Sequence, residues 1–111
     1  MKRINGLILF VVALVMLIFS GPANAVDYVP PFVIDHIYVS GGNNYYLRVF
    51  SATTTPHCTG GPAWSYVNEN DSGAKAKIAS LLMAYSLGKT VSLFTGNDGS
   101  GYCQIYEFSV Q

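Results

Sequence analysis

Apolar residues recur at helical spacing in one segment near the middle of the chain. Ile78, Leu81, Leu82 and Tyr85 stand at i, i+3, i+4 and i+7, which places them on one face of an α-helix. We therefore predict a helix with this face buried.

The ends of this helix are also marked in the sequence. Asp71 or Ser72 can accept a hydrogen bond from the free amides of the first turn, and Gly88 can take the left-handed conformation that ends the last turn. The residues of 90–95 are mostly β-branched or aromatic, which favours a strand directly after the helix.

Four further segments are typical of β-strands because they are rich in β-branched and aromatic residues. These are residues 32–40, 45–51, 63–68 and 102–110. Gly and Asn residues between the first two predict a hairpin, and the prolines and glycines of 52–62 predict a loop. The predicted order is β-β-β-α-β-β. This all-β chain with one helix (α+β) fits a small five-stranded OB-fold barrel.

The last predicted strand alternates between two faces that both carry apolar residues. Cys103 and Ile105 share one face with Glu107, whereas Tyr106 and Phe108 lie on the other. The pattern alone does not indicate which face is buried.

The N-terminal residues 1–25 resemble a secretory signal peptide. Lys2 and Arg3 precede a long apolar run, and Ala23-Asn24-Ala25 matches the small-x-small cleavage pattern. The alternative is a membrane anchor, but the apolar run is shorter than the roughly 20 residues that span a bilayer. We therefore expect a bacterial secreted or periplasmic protein with one domain, residues 26–111, and no membrane span after cleavage.

The charge of residues 26–111 argues against a nucleic-acid partner. This segment contains four basic and six acidic residues, which gives a net charge of −2. Nucleic-acid binding requires clustered Lys and Arg, and here only Lys75 and Lys77 lie close together.

Cys58 and Cys103 are the only two cysteines of the chain. In an oxidising compartment we expect them to form a disulfide, although free thiols and half of a metal site are the alternatives. A crosslink across a loop of this length would stabilise the fold by about 3 to 4 kcal/mol in the chain-entropy model.

Several sequence features resemble the binding (B) subunits of bacterial AB-type toxins, most closely those of subtilase cytotoxin and typhoid toxin. They are the strand FVIDHIYVSGG, the pair Tyr45-Tyr46, Trp64, and the helix exit with Ala84-Tyr85, Gly88-Lys89 and Val91. The resemblance implies a secreted OB-fold, a pentameric ring, a toxin-like A subunit as partner and a cell-surface glycan as ligand. Two positions that contact the sugar in that family carry Pro30-Pro31 and Thr95 here.

Candidate catalytic and metal sites are weak in the sequence. His36 follows Asp35 in a predicted strand, where alternation would place the two side chains on opposite faces. His57 and Cys58 lack the two further ligands of a zinc site. The turn at 96–101 has no helix after it that would bind phosphate. We therefore predict no enzymatic activity, no cofactor and no metal.

Aromatic residues are the positive signal, with 13 among the 86 residues of 26–111. Sugars commonly pack on such rings, while tyrosine hydroxyls bind the sugar rim. For Phe50, Trp64, Phe94 and Phe108 we favour packing in the core and across strands. The candidate glycan-binding residues are Tyr28, Tyr45, Tyr66, Tyr102 and Tyr106.

The helix face with Ala76, Ala79 and Met83 is small and apolar, so these residues are candidates for a subunit interface. Two functions follow. The first is a secreted, non-enzymatic binding module that recognises glycans through an oligomeric ring. The second is a secreted or periplasmic accessory or inhibitor protein that binds another protein through the same fold.

Overall fold

Six β-strands and one α-helix make up residues 26–111, the part of the chain that this computed structural model describes. The predicted signal peptide, residues 1–25, lies outside it. No helix within residues 26–111 is long and apolar enough to cross a membrane. The elements are β1 (Asp27–Val33), β2 (His36–Val39), β3 (Leu47–Phe50), β4 (Trp64–Val67), α1 (Ala74–Leu87), β5 (Thr90–Asn97) and β6 (Cys103–Val110).

All six strands belong to one sheet with the order β1-β5-β6-β4-β3-β2. Only β4 and β6 pair in parallel, and the other neighbours are antiparallel. The predicted hairpin is confirmed as β2 and β3. The prediction of a mainly β chain with one helix is confirmed as well.

The structure has six strands where the sequence predicts five, because the predicted first strand is interrupted at Ile34 and Asp35. Ile34 turns inward and is buried, and the chain resumes as β2 at the opposite end of the sheet order. β1 also begins earlier than predicted, at Asp27. Its two prolines lie where the register with β5 shifts, between Val29 and Phe32. Proline is tolerated there because a bulge on an edge strand needs fewer amide donors.

The core lies on one face of the sheet, under the helix. Alternate residues of each strand point into it, which is the period expected for strands with one buried face. Its buried members are Ile34, Leu47, Val49, Val67, Ala74, Leu81, Ala84, Val91, Leu93 and Ile105.

A bulge in β6 explains why apolar residues occur on both sides of the alternating pattern in this strand. The register with β5 passes from Ile105 opposite Thr95 to Glu107 opposite Phe94, so Tyr106 is an extra residue. The inward face therefore changes phase at Tyr106. Ile105 before the bulge is buried, Phe108 after it packs against the core, and Glu107 is exposed.

The helix begins and ends close to the predicted positions, but it begins differently. Neither Asp71 nor Ser72 caps it, because Gly73 occupies the cap position in a left-handed conformation with no side-chain hydrogen bond. The Asp71 carboxylate instead accepts a hydrogen bond from the backbone amide of Asn68 at 2.8 Å. The prediction for Gly88 is confirmed: its φ is 64° and its amide donates to carbonyls of the last turn.

The buried face of α1 is rotated from the predicted one. Leu81 is buried and Ile78 packs against the core, as predicted, but Leu82 and Tyr85 are exposed. Ala74 and Ala84 take their place, because small side chains let the helix lie close to the sheet.

The predicted disulfide between Cys58 and Cys103 is confirmed. It ties the loop between β3 and β4 to the start of β6 across 45 residues. Thr95 strengthens this attachment, since its buried hydroxyl donates a hydrogen bond to the carbonyl of His57. Thr95 therefore has a structural role.

Candidate functional site

Aromatic side chains form two cross-strand rows on the face of the sheet opposite the core. His36, Phe50 and Trp64 are register partners on β2, β3 and β4, and Tyr38, Arg48 and Tyr66 form the row beside them. Because strand residues alternate, the residues between them point to the core. Tyr45 before β3 and Tyr102 before β6 complete this surface. We call it the aromatic strip: His36, Tyr38, Tyr45, Arg48, Phe50, Trp64, Tyr66 and Tyr102.

The rings of the strip are in contact from one end to the other. His36 stacks on Phe50 with ring centroids 4.2 Å apart, and Phe50 lies 5.8 Å from Trp64. Trp64 in turn stacks on Tyr102 at 5.2 Å with an interplanar angle of 28°. Such offset and stacked pairs are each worth about 0.5–1.5 kcal/mol beyond their area burial.

The strip is open to solvent at both ends and half-buried in the middle. The His36 side chain is 54% exposed, and Tyr38 and Tyr102 are 55% and 38% exposed. Trp64 is half-buried, whereas Tyr66 is buried beneath it. A ligand can therefore reach the exposed parts of these rings without unfolding any part of the sheet.

Tyr45 has the only positive φ among the non-glycine residues of 26–111, at 55°. This left-handed conformation is unfavourable for a side chain with a Cβ and costs of order 1–3 kcal/mol. It brings the Tyr45 ring to 4.7 Å from Tyr66 and 4.9 Å from Tyr102, with Trp64 at 6.1 Å. Backbone strain thus coincides with the assembly of the cluster, a combination typical of binding sites.

Arg48 lies among three of these rings. Its guanidinium carbon is 4.8 Å from the centroid of Tyr38, 5.3 Å from Trp64 and 5.6 Å from Tyr45. Its Nε donates a hydrogen bond to the carbonyl of Tyr45 at 3.3 Å. These contacts hold the cation in one place on the strip.

Tyr66 links the strip to the turn between β5 and β6. Its hydroxyl donates a hydrogen bond to the Asp98 carboxylate at 2.8 Å. Burial, and then this bond, raise the pKa of Tyr66 above its ordinary value. Burial alone would raise the pKa of Asp98 as well, but hydrogen bonds from Ser100, Tyr66 and Tyr102 outweigh it and hold that pKa low. Asp98 therefore stays ionised at neutral pH and fixes the turn that carries Tyr102.

The structure brings together three of the five candidate glycan-binding residues, Tyr45, Tyr66 and Tyr102. Tyr106 lies nearby, in a cavity of about 360 Å³ lined also by Asp98 and Gln104. Tyr28 is separate from the strip, with its ring 5.1 Å from Phe94 on β5.

Sequence reasoning missed the contribution of Tyr38, Arg48, Phe50 and Trp64 to this surface. The predicted cross-strand packing of Phe50 and Trp64 is confirmed, but neither belongs to the buried core. The signal was available in the alternation of LRVF and WSYV. In each segment, alternate positions place the aromatic or charged side chains on one side: Arg48 and Phe50 in the first, Trp64 and Tyr66 in the second.

The two histidines have different surroundings. His36 Nδ1 lies 2.8 Å from Asp35 Oδ2 at the surface, so the prediction that these side chains lie on opposite faces is wrong. Asp35 precedes β2, where strand alternation does not apply.

His57 is buried between two serines. Its Nδ1 is 2.6 Å from Ser65 Oγ and its Nε2 is 3.2 Å from Ser51 Oγ. Burial lowers the pKa of His57 to about 4, so the ring is neutral and a weak base near pH 7. Its contacts connect β3, β4 and the disulfide loop. Within residues 26–111, no group of three His, Cys, Asp or Glu residues has the geometry to hold a metal ion.

The three candidate interface residues lie on the exposed side of α1. Met83 is 50% exposed, and Ala76 and Ala79 are exposed as well. Ala79 borders an apolar groove of about 330 Å³ between α1 and Tyr46.

No family model, curated protein or solved structure matches this chain. The resemblance to toxin binding subunits therefore stays a hypothesis.

Proposed function

We propose that the protein is a non-enzymatic binding module that recognises a glycan on its aromatic strip. The observation that carries this proposal is the cluster of Trp64, Tyr45 and Tyr102, whose rings are in mutual contact and still reach solvent. The C–H faces of sugars pack on such rings, and hydroxyl and amide groups at the rim bind sugar hydroxyls. Gln104 and Tyr106 supply polar groups at the β6 end.

The order of the strands supports an OB-fold as the scaffold. β1 and β2 stand at opposite ends of the sheet order, yet only Ile34 and Asp35 separate them in the chain. Counted as one bent strand, they reduce six strands to five and bring the two ends of the sheet together at this corner. β3 and β4 then correspond to the second and third strands of an OB-fold, whose outer face and adjoining loops bind oligosaccharides and oligonucleotides. The aromatic strip lies on that face.

Export and ring formation belong to the same proposal. The disulfide favours an oxidising compartment, in keeping with the signal peptide expected from the sequence. In a ring of identical subunits, several weak sugar sites would act together and raise avidity by orders of magnitude. A toxin-like A subunit would be the partner of such a ring.

The test is binding to a panel of immobilised oligosaccharides. The full chain is expressed with its N-terminal segment, so that export and disulfide formation can occur, and the purified product is applied to the panel. We expect glycan binding that Tyr102→Ala weakens at least about tenfold, because truncating an aromatic residue that anchors a ligand costs about 2 kcal/mol or more. Tyr28→Ala removes a tyrosine that is more exposed than Tyr102 and lies away from the strip, and it should leave binding unchanged. Absence of binding to every glycan, or equal loss in both variants, would contradict the proposal.

A second function is favoured by a separate observation. The exposed side of α1 carries four large apolar residues without a partner in residues 26–111: Leu82, Met83, Tyr85 and Leu87. Such a patch is typical of protein–protein contact. We therefore keep as the alternative a secreted or periplasmic accessory or inhibitor protein. A pull-down from periplasmic or culture extract that Met83→Lys abolishes, without glycan binding by the wild type, would favour it.

A further inference from the structure

The charge on the aromatic strip is carried by Arg48, which has no carboxylate partner. Among residues 26–111 the only close contact between a basic nitrogen and a carboxylate is that of His36 Nδ1 with Asp35 Oδ2, at 2.8 Å. Arg48 uses Nε for the carbonyl of Tyr45, and its two terminal nitrogens make no hydrogen bond there. Arg48 is therefore held between rings without a carboxylate partner, and the N–H donors on its terminal nitrogens remain free to bind a ligand.

These terminal nitrogens also face solvent. Arg48 is half-buried, and residues 26–111 contain no buried side-chain nitrogen or oxygen that lacks a hydrogen-bond partner. Since both terminal nitrogens lack a partner, both have some exposure to solvent. A guanidinium with two free terminal nitrogens can bind a carboxylate with two parallel hydrogen bonds.

From this geometry we propose that the ligand of the strip is a short acidic oligosaccharide that contains a uronic acid. Its carboxylate binds the free fork of Arg48. One neighbouring sugar packs against Tyr38 on the β2 side, and the other packs against the exposed parts of Trp64 and Tyr102 on the β4 and β6 side. This inference rests on the proposed glycan-binding function and adds the chemical class of the ligand.

The dimensions of the strip favour a chain of sugars over a single terminal sugar. Ring contacts run from His36 on β2 through Phe50 on β3 and Trp64 on β4 to Tyr102 at the start of β6. Four neighbouring strands span about 14–15 Å at a strand separation of about 4.8 Å. Arg48 lies in the middle, so a carboxylate bound there leaves room for a neighbouring sugar on both sides.

The surrounding charges limit how acidic the ligand can be. Arg48 is the only Lys or Arg residue of the strip, where His36 is the one other basic residue, and the three lysines lie on α1 or directly after it. Asp35 lies beside His36 at the β2 end, and Asp98 accepts hydrogen bonds from the Tyr66 hydroxyl and the Tyr102 amide at the β6 end. A densely charged polymer would be repelled at both ends, whereas a chain with one carboxylate at its centre fits.

The test compares acids with their neutral methyl esters, which keep the shape of the sugar and lose the charge. Trisaccharides with a galacturonate, glucuronate or mannuronate at the centre and a neutral sugar on each side, each as the free acid and as the methyl ester, are titrated calorimetrically into the protein purified after export. We expect at least one acid to bind at least about tenfold more tightly than its ester, because the ester cannot form the charge-assisted hydrogen bonds with Arg48. Arg48→Gln should bring the acid down to the affinity of the ester and leave the affinity for the ester unchanged.

Two further variants separate charge at the site from overall charge and folding. Lys89→Gln removes one positive charge after α1 and should keep the preference for the acid. Arg48→Lys keeps the charge but loses the fork, and should retain only part of the preference. Equal affinities of acid and ester in every pair would overturn the inference and leave neutral glycan binding standing. Absence of binding by all trisaccharides would also overturn it, and the glycan panel then decides the proposed function separately.

Discussion

Gly61 lies directly against the disulfide, and this contact explains why the position carries no side chain. A Cβ at Gly61 would stand 2.3 Å from the sulfur of Cys103 and 2.4 Å from that of Cys58. We expect Gly61→Ala to destabilise the oxidised protein by about 1–3 kcal/mol, because the bridge has no freedom to move aside.

Urea unfolding of the oxidised protein measures the effect. Gly41→Ala is the matched control, since a Cβ there meets no atom within 4 Å. The difference in unfolding free energy between Gly61→Ala and the wild type should shrink once the disulfide of both proteins is reduced. An unchanged unfolding midpoint for oxidised Gly61→Ala would contradict the placement of this glycine.

His57 predicts how stability changes with pH. Its folded pKa of about 4 lies below the ordinary value of 6.5, so between these values the unfolded chain binds the proton more readily. The contribution of His57 to the free energy of unfolding should be constant above pH 6.5. It should decrease as the pH falls from 6.5 towards 4. One proton limits the slope to less than about 1.4 kcal/mol per pH unit.

Unfolding free energies at pH 7, 6 and 5 test this, and His57→Gln should be less stable at pH 7 but lose the dependence. His36→Gln removes the surface histidine and serves as the control. A wild type whose stability is equal at pH 7 and pH 5 would contradict the buried, neutral state of His57.

Which face of α1 is buried can be tested at the scale of the element. Leu81 is fully buried under the helix, whereas the neighbouring Leu82 is 37% exposed. Leu81→Ala should cost about 2–5 kcal/mol through lost burial and the cavity left behind. Leu82→Ala should cost less than half as much in the isolated protein. Thermal and urea unfolding of the two variants measure the difference, and equal losses would favour the face predicted from spacing alone.

The sequence predicts the elements well where one periodicity runs without interruption. The β2–β3 hairpin, the C-terminal end of α1 and the strand after it follow from local pattern. The bulges at Pro30-Pro31 and Tyr106 do not, because they depend on which strand lies alongside. The helix face is a similar case: spacing identified a large apolar stripe, but close packing on the sheet favoured the side with alanines.

The candidate site was predictable in composition but not in arrangement. Five tyrosines were candidates by residue type, and the rings of three of them, Tyr45, Tyr66 and Tyr102, lie close together. Trp64 and Arg48 join them because β3 and β4 pair in register, which is a contact between distant segments. The positive φ of Tyr45 likewise cannot be inferred from its residue type, since tyrosine rarely adopts it.

At the scale of the whole molecule, the exposed side of α1 predicts self-association. Charged residues on α1 are confined to Lys75 and Lys77, and none occurs in the last turn. The same side exposes Met83 beside Ala79, so a second copy could approach closely without burying a charge. If the protein forms the ring proposed for its function, this side lies in or next to the contact between subunits.

Size-exclusion chromatography with light scattering over a wide range of protein concentrations tests the association. We expect the wild type to be oligomeric and Met83→Lys to weaken assembly at least about tenfold, because a buried ammonium without a partner is costly to desolvate. Thr54→Lys adds the same charge on the exposed loop before His57 and should assemble as the wild type does. If the wild type is monomeric at every concentration, the prediction of self-association and the proposed ring are wrong. The aromatic strip would then bind its glycan with the affinity of a single site.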